Sequence, residues 1–401
     1  MEEKKTLETL DKRYVLGTYA RNYTNFVKGK GSILYDDEGR DFIDFASGIG
    51  VNSVGHANPT LVDAICDQAH KIIHISNLQV IEPQAKLAQR IVELSGYDMG
   101  VFFANSGAEA NEGAIKIARK YGETCFEKKR YKVITLEHSF HGRTITTVKA
   151  TGQESFHTPH FSPYPDGFSY EKSIDDVYRA IDDETVAVLI ELVQGEGGVQ
   201  PFDKVEIQAL AKHLQKAGVL LIVDEVQTGV YRTGEFLASN LYEIEPDIIT
   251  LAKGLGGGVP IGAVMTKHKE VLKAGDHGST FGGNYLSTRA GLAVLDILEE
   301  LYESGRLAET HLYFEKRLQE IAQSCQDLFE KEVGLGLMRG LRAKTPQIQA
   351  AVLKESMIER LIVLKAGRNT VRFLPSLTIT KEEIDEGFKR FEAALARVDV
   401  V

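Results

Sequence analysis

Ile248-Ile249-Thr250-Leu251-Ala252-Lys253-Gly254 sets a lysine at the end of a short apolar run, just ahead of a glycine-rich turn formed by Gly254, Gly256, Gly257 and Gly258. An apolar, β-branched run bounded by glycine reads as a fully buried strand rather than a helix core. A lysine that ends such a strand faces the crevice side of a sheet. Partial desolvation there lowers its pKa and frees its lone pair for attack on an aldehyde. The plainer reading of Lys253 is a solvated loop residue, as most lysines after strands are.

Runs of the same kind recur along the chain: Val101-Phe102-Phe103, Val133 to Leu136, Val186 to Ile190, Val219 to Val223, and Ile261 to Met265. Amphipathic stretches such as Ala110 to Tyr121, with Gly122 as its expected stop, and Val205 to Ala217 lie between them. This alternation predicts an α/β fold with a mostly parallel sheet. The chain changes character after about residue 290. Leu295 to Phe329 is one long amphipathic region, followed by Val371-Arg372-Phe373-Leu374-Pro375 and a final helix from about Lys381 to Arg397. Near the other terminus, Ser32 to Asp44 reads as a hairpin around an acidic turn containing Gly39. The expected division is a large domain over residues 46–290 and a smaller α+β domain assembled from 1–45 and 291–401.

The length of 401 residues suits such a division, and 43% hydrophobic with 26% charged residues is ordinary globular composition. A net charge of -10 without a Lys/Arg block argues against nucleic acid or an acidic membrane surface as partner. Cys66, Cys125 and Cys325 are odd in number and in no metal-ligand spacing, so they read as reduced thiols of a cytoplasmic protein. No secretory leader is expected from the start of the sequence, and no apolar run approaches the roughly 20 residues that span a bilayer.

In open α/β sheets, ligands sit beyond the carboxyl ends of the strands. Three unusual segments fall there. After Phe103 comes Ala104-Asn105-Ser106-Gly107-Ala108-Glu109-Ala110-Asn111, where small residues open a helix. Free N–H groups at that terminus, with the Ser106 hydroxyl, make a seat for phosphate. A plain N-cap by Ser106 explains the same residues equally well. After Leu136 comes Glu137-His138-Ser139-Phe140-His141-Gly142-Arg143. Phe140 suits stacking on a flat heteroaromatic ring and Arg143 suits a carboxylate. The alternatives are a core phenylalanine and a surface arginine. After Val223 comes Asp224-Glu225-Val226-Gln227-Thr228-Gly229. A carboxylate closing an aliphatic run is expensive to bury without a cationic partner. A pyridinium nitrogen would serve, as would a lysine or arginine.

Together these residues offer a phosphate seat, a ring stacker, a carboxylate for a ring nitrogen and an amine for an aldehyde. Pyridoxal 5′-phosphate presents that set of groups and few other ligands do. The blocks Phe45 to His56, Ser76-Asn77-Leu78, Asn105 to Asn111, His138 to Arg143, Gln194 to Gly198, Asp224 to Gly229, Lys253 and Gly278 to Asn284 occur in this order. In these blocks the chain resembles a class III (ω-amino acid type) aminotransferase of the fold-type-I pyridoxal phosphate enzymes, over nearly its whole length.

That resemblance implies a ping-pong transfer of the δ-amino group of N2-acetylornithine to 2-oxoglutarate, in arginine biosynthesis. It implies that Lys253 holds the cofactor covalently and shuttles a proton, and that Ser106, Gly107 and Ala108 hold the phosphate. Phe140 and Val226 would flank the ring, Asp224 would pair with its nitrogen, and Gln227 would bond its hydroxyl oxygen. Thr280 would reach the phosphate of the other subunit, which makes a homodimer the functional unit. Arg143, with Ser279 nearby, would bind the α-carboxylate of the first substrate. Arg372 would bind that of glutamate, with Glu196 as its switch. On alternation with Val371 and Phe373 alone, Arg372 reads as an exposed strand residue.

The chain departs from the family pattern at Gln79 and Val80, where an aromatic pair is usual. It also departs at Leu192, where proline is common, and at Tyr231, where glycine is usual. The first departure lies near the expected substrate entrance and bears on the acyl group. Ornithine, succinylornithine and 4-aminobutyrate are the rival donors. A pyridoxal-phosphate-binding regulator would need a helix-turn-helix domain and a basic surface, and neither is evident. A dinucleotide loop at Gly254 to Gly258 lacks the G-x-G-x-x-G order.

Overall fold

All six apolar runs become strands of one seven-stranded sheet in the computed structural model, which describes residues 2–398. In chain order the strands are β1 (Gly100–Ala104), β2 (Lys132–Leu136), β3 (Phe168–Glu171), β4 (Thr185–Ile190), β5 (Leu220–Asp224), β6 (Ile248–Leu251) and β7 (Gly262–Thr266). Their order across the sheet is β1-β7-β6-β5-β4-β2-β3, and only β7 runs antiparallel to its neighbours. The fold is thus α/β with a mostly parallel sheet. Every residue of β4, β5 and β6 is buried, because helices cover both faces. Alternate side chains serve opposite layers. Ala187 and Leu189 join Ala114, Ile115 and Ala118 of the helix Gly107–Thr124, whereas Val188 and Ile190 join Leu210 and Leu214 of the helix Lys204–Ala217. Each fully buried aliphatic side chain contributes roughly 1.5–3 kcal/mol.

Three features differ from the sequence reading. The edge strand β3 was not anticipated, since Phe168-Ser169-Tyr170-Glu171 is only half-buried and has no aliphatic run. Gly122 does not stop its helix, which continues to Thr124. A Cβ at Gly122 would lie 2.0 Å from the Arg130 carbonyl oxygen, so close packing is what requires glycine there. The region Leu295 to Phe329 is two helices, Tyr285–Glu303 and Arg306–Ser324, and a strand that begins at Phe329.

The expected hairpin is present, with Ile33–Asp36 antiparallel to Asp41–Asp44. The second of these strands pairs in parallel with Leu361–Ile362, which ties the N-terminal hairpin to the C-terminal chain. A separate four-stranded antiparallel sheet contains Phe329–Leu335, Met338–Ala343, Thr370–Phe373 and Leu364–Ala366. Phe45, Phe314, Phe373 and Phe388 pack edge-on or tilted around the base of the strand that carries Arg372.

Candidate active site

The carboxyl ends of β1, β2, β4, β5 and β6, with the start of antiparallel β7, converge on one edge of the sheet. A cavity of about 420 Å³ opens there. Ser106, Gly107, Ala108, Phe140, Arg143, Asp224, Val226, Gln227 and Lys253 all line it. Nine residues expected from separate strand ends therefore meet in one place.

Lys253 opens a short 3-10 turn directly after β6, with φ +42. Burial, and then the positive charge of Arg372, push its pKa below the ordinary lysine value, while the carboxylates of Glu196, Asp224 and Glu191 oppose the shift. A lower pKa means more free amine at a given pH. Glu196→Gln removes an opposing carboxylate, so in cofactor-stripped enzyme Lys253 is expected to acylate at lower pH than in wild type. Arg372→Ala should move that profile to higher pH. Mass-spectrometric labelling across pH checks both directions.

Asp224 is 4% exposed and is held on both oxygens. Its Oδ2 accepts from Asn111 Nδ2 at 2.7 Å and lies 2.8 Å from His141 Nδ1, and its Oδ1 accepts from the Val226 amide at 3.0 Å. Among the described residues no lysine or arginine pairs with it; a histidine and an amide fix its direction instead. Asn111 is itself held by Thr250, which donates to its Oδ1 at 2.8 Å.

Ser106 caps the helix, its Oγ accepting from the Glu109 amide at 3.2 Å, so the plain cap is present. Gly107 and Ala108, the first residues of that helix, line the cavity, where a helix N-terminus suits an anion. Gly107 is needed for shape, since a Cβ there would lie 2.7 Å from a Val226 methyl. Gln227 Oε1 accepts from Arg372 Nη1 at 3.1 Å, in space that any side chain at Gly195 would fill. Arg372 is 2% exposed, and Nη1 also donates to Glu196 Oε1 at 2.8 Å. The exposed-strand reading of Arg372 is therefore wrong, because the loop carrying Glu196 covers it. Arg143 is exposed and stacks over Phe156, 3.9 Å from the ring centroid.

Ser279 and Thr280 are not in this cavity. Both line a second one of about 700 Å³ with Asn77 and Leu78. Within one chain Ser279 is tied to Asn105, whose Nδ2 donates to its Oγ at 3.2 Å, and it lines the second cavity whereas Arg143 lines the first. Tyr231, at the position where the family favours glycine, is buried with φ +66, the left-handed region glycine adopts freely.

Sequence reasoning passed over Asn111, His141 and Glu191. Glu191 carried a usable signal, since it closes an aliphatic run as Asp224 does. Asn111 and His141 sit inside motifs already singled out, yet nothing local says that they converge on Asp224. The donor set suits pyridoxal phosphate on structural grounds. The first residues of a helix, a buried carboxylate suited to a ring nitrogen and an amine of lowered pKa all line one cavity. His141 Nε2, fully buried at the cavity wall, has no hydrogen-bond partner among the described residues.

The class-III aminotransferase family model matches residues 18–395. The acetylornithine aminotransferase of Wolinella succinogenes is 62% identical over 389 residues, covering 97% of this chain and 99% of that one. Among solved structures, the ornithine aminotransferase from Toxoplasma gondii superposes with a TM-score of 0.92 at 30% identity, covering 98% of this chain and 94% of that one. The N-acetylornithine aminotransferase from Stenotrophomonas maltophilia gives 0.81 at 33% identity, covering 97% and 98%. Matched along nearly its whole length in sequence and in fold, the chain belongs to the class-III aminotransferases, the pyridoxal-phosphate-dependent enzymes of fold type I.

Proposed function

We propose that this enzyme moves the δ-amino group of N2-acetylornithine to 2-oxoglutarate, giving N-acetylglutamate 5-semialdehyde and glutamate, as a step of arginine biosynthesis. The observation that carries this reading is the ion pair of buried Arg372 with half-buried Glu196, 2.8 Å apart beside the cavity. A ping-pong transaminase must accept an amine carrying no nearby carboxylate and then one carrying an α-carboxylate. With Glu196 paired, Arg372 is neutralised and the first donor can approach. With Glu196 released, Arg372 grips glutamate. The curated relative at 62% identity bears the name of this activity.

Pyridoxal phosphate, when bound, supplies an electron sink for the bond that ionises beside the amino nitrogen. The protein does the rest. Lys253 would hold the cofactor, and its Nζ would take up and hand on the proton that leaves the substrate carbon. Asp224 would keep the ring nitrogen protonated, and Gln227 would hold the ring hydroxyl oxygen. Phe140 and Val226 would flank the ring, while Ser106, Gly107 and Ala108 would hold the phosphate. Arg143 leaves its stack on Phe156 to bind the carboxylate of the acylated donor.

A homodimer completes the site in this reading. Thr280 lines the second cavity together with Leu78, which is 90% exposed, and it would reach the partner's phosphate. Ser279 acts there on the partner's substrate rather than beside Arg143 of its own chain. The large domain over 46–290 contributes the cavity and the termini contribute the smaller one, with the boundary inside the helix Tyr285–Glu303. Among the described residues no helix is long and apolar enough to cross a membrane and the three cysteines are free, which supports a cytoplasmic enzyme.

A donor panel with 2-oxoglutarate tests the substrate. N2-Acetylornithine is expected to exceed ornithine and 4-aminobutyrate in kcat/KM by more than about tenfold, or ~1.4 kcal/mol. The reverse order sinks the assignment, and a preference for N2-succinylornithine corrects the acyl group. Arg372→Ala should raise KM for glutamate by roughly 10- to 100-fold, the worth of a charge-assisted hydrogen bond, with far less effect on acetylornithine. Equal effects on both donors would contradict the switch.

A further inference from the structure

Glu191 follows the last residue of β4 and is 6% exposed at the wall of the cavity. Its Oε2 accepts from the Phe140 amide at 2.9 Å, and its Oε1 accepts from the Gly195 amide at 3.3 Å. One carboxyl thus joins the strand-end loop of β2 to the loop that carries Glu196. From there the Glu196 carbonyl accepts from the Gly367 amide at 2.8 Å, just ahead of the strand bearing Arg372. We propose that Glu191 is a positioning residue that bolts the ring-stacking wall to the Glu196 switch, so that cofactor plane and substrate arginine stay in one fixed relation. The roles of Phe140 and Glu196 rest on the function proposed above; the bolt itself rests on the two hydrogen bonds.

A carboxyl is a costly way to fill this position. Burial, with Asp224 adding to it and His141 opposing, pushes its pKa up to about 7. An apolar residue would avoid that desolvation but would leave the buried Gly195 amide and the half-buried Phe140 amide without acceptors, at roughly 1–3 kcal/mol for the buried one. Glutamine cannot replace it either. It has one oxygen, and its NH2 group would face an amide N–H, donor against donor. The site needs two acceptors on one short stem, and glutamate supplies them.

The test uses holoenzyme of Glu191→Gln and Glu191→Asp. In Glu191→Gln the visible circular dichroism of the bound cofactor, recorded without substrate, should differ from wild type, because Phe140 is no longer held against the ring. KM for glutamate should rise about tenfold or more, as loss of one hydrogen bond to a charged group implies, with a smaller change in kcat. Glu191→Asp, which keeps two acceptors, should recover part of both signals. Wild-type dichroism and wild-type KM in Glu191→Gln would overturn the proposal. A lowered Tm with both readouts unchanged in the folded holoenzyme would also overturn it, since Glu191 would then serve stability alone. If the donor panel instead rejects acetylornithine, the substrate assignment falls, while the dichroism, read without substrate, still decides the role of Glu191.

Discussion

Lys253→Ala is expected to lower the first half-reaction by at least ~10⁴-fold, combining the usual worth of a positioned base with loss of covalent capture. Its amine is brought to the cavity by the end of β6 and the 3-10 turn that follows. No second lysine lines that cavity, so no neighbour can take over the proton at the substrate carbon. The variant should still fold, because the turn is anchored independently of the side chain. Ser53 Oγ donates to the Gly254 carbonyl at 2.7 Å, and the Leu255 amide bonds the Ala252 carbonyl at 2.9 Å. Stopped-flow absorbance with donor alone reads the half-reaction, and borohydride reduction followed by peptide mass reads covalent capture. Wild-type turnover in Lys253→Ala would end the assignment of this residue.

Asp224→Asn should cost about a thousandfold in kcat. At about 4 Å and an effective dielectric near 20, a carboxylate and a ring cation attract by about 4 kcal/mol before desolvation, or roughly three pKa units. Without that attraction the ring nitrogen loses its proton at neutral pH and the electron sink weakens. Asparagine keeps the volume and can still accept from one of the two donors, His141 and Asn111, that orient Asp224. The substitution therefore tests charge more than shape. A loss below tenfold would mean that the carboxylate serves mainly to hold those two side chains.

The central sheet was legible because its signal is local. A strand buried on both faces must be aliphatic throughout, so β4, β5 and β6 announce themselves in four to six consecutive residues. The edge strand β3 has no such constraint and was missed. The same locality exposed Asp224 and Lys253, each a charged residue that ends an apolar run where ligands bind in this kind of sheet. It failed for the break at Ser304-Gly305, where two amphipathic helices follow one another with only two residues between them.

Nearest-neighbour chemistry along the chain was thus enough to specify the sheet, its layers and the edge where ligands meet it. It could not say which face of a half-polar strand is covered. Arg372 sits between buried Val371 and Phe373 and is buried too, because Glu196, 176 positions away in sequence, comes to meet it. The orientation of Asp224 by Asn111 and His141, and the bridge that Glu191 makes between two loops, likewise join segments far apart in the chain. Only the closed tertiary structure decides them, since a desolvated charge settles its partners by distance in space and not by order in the sequence.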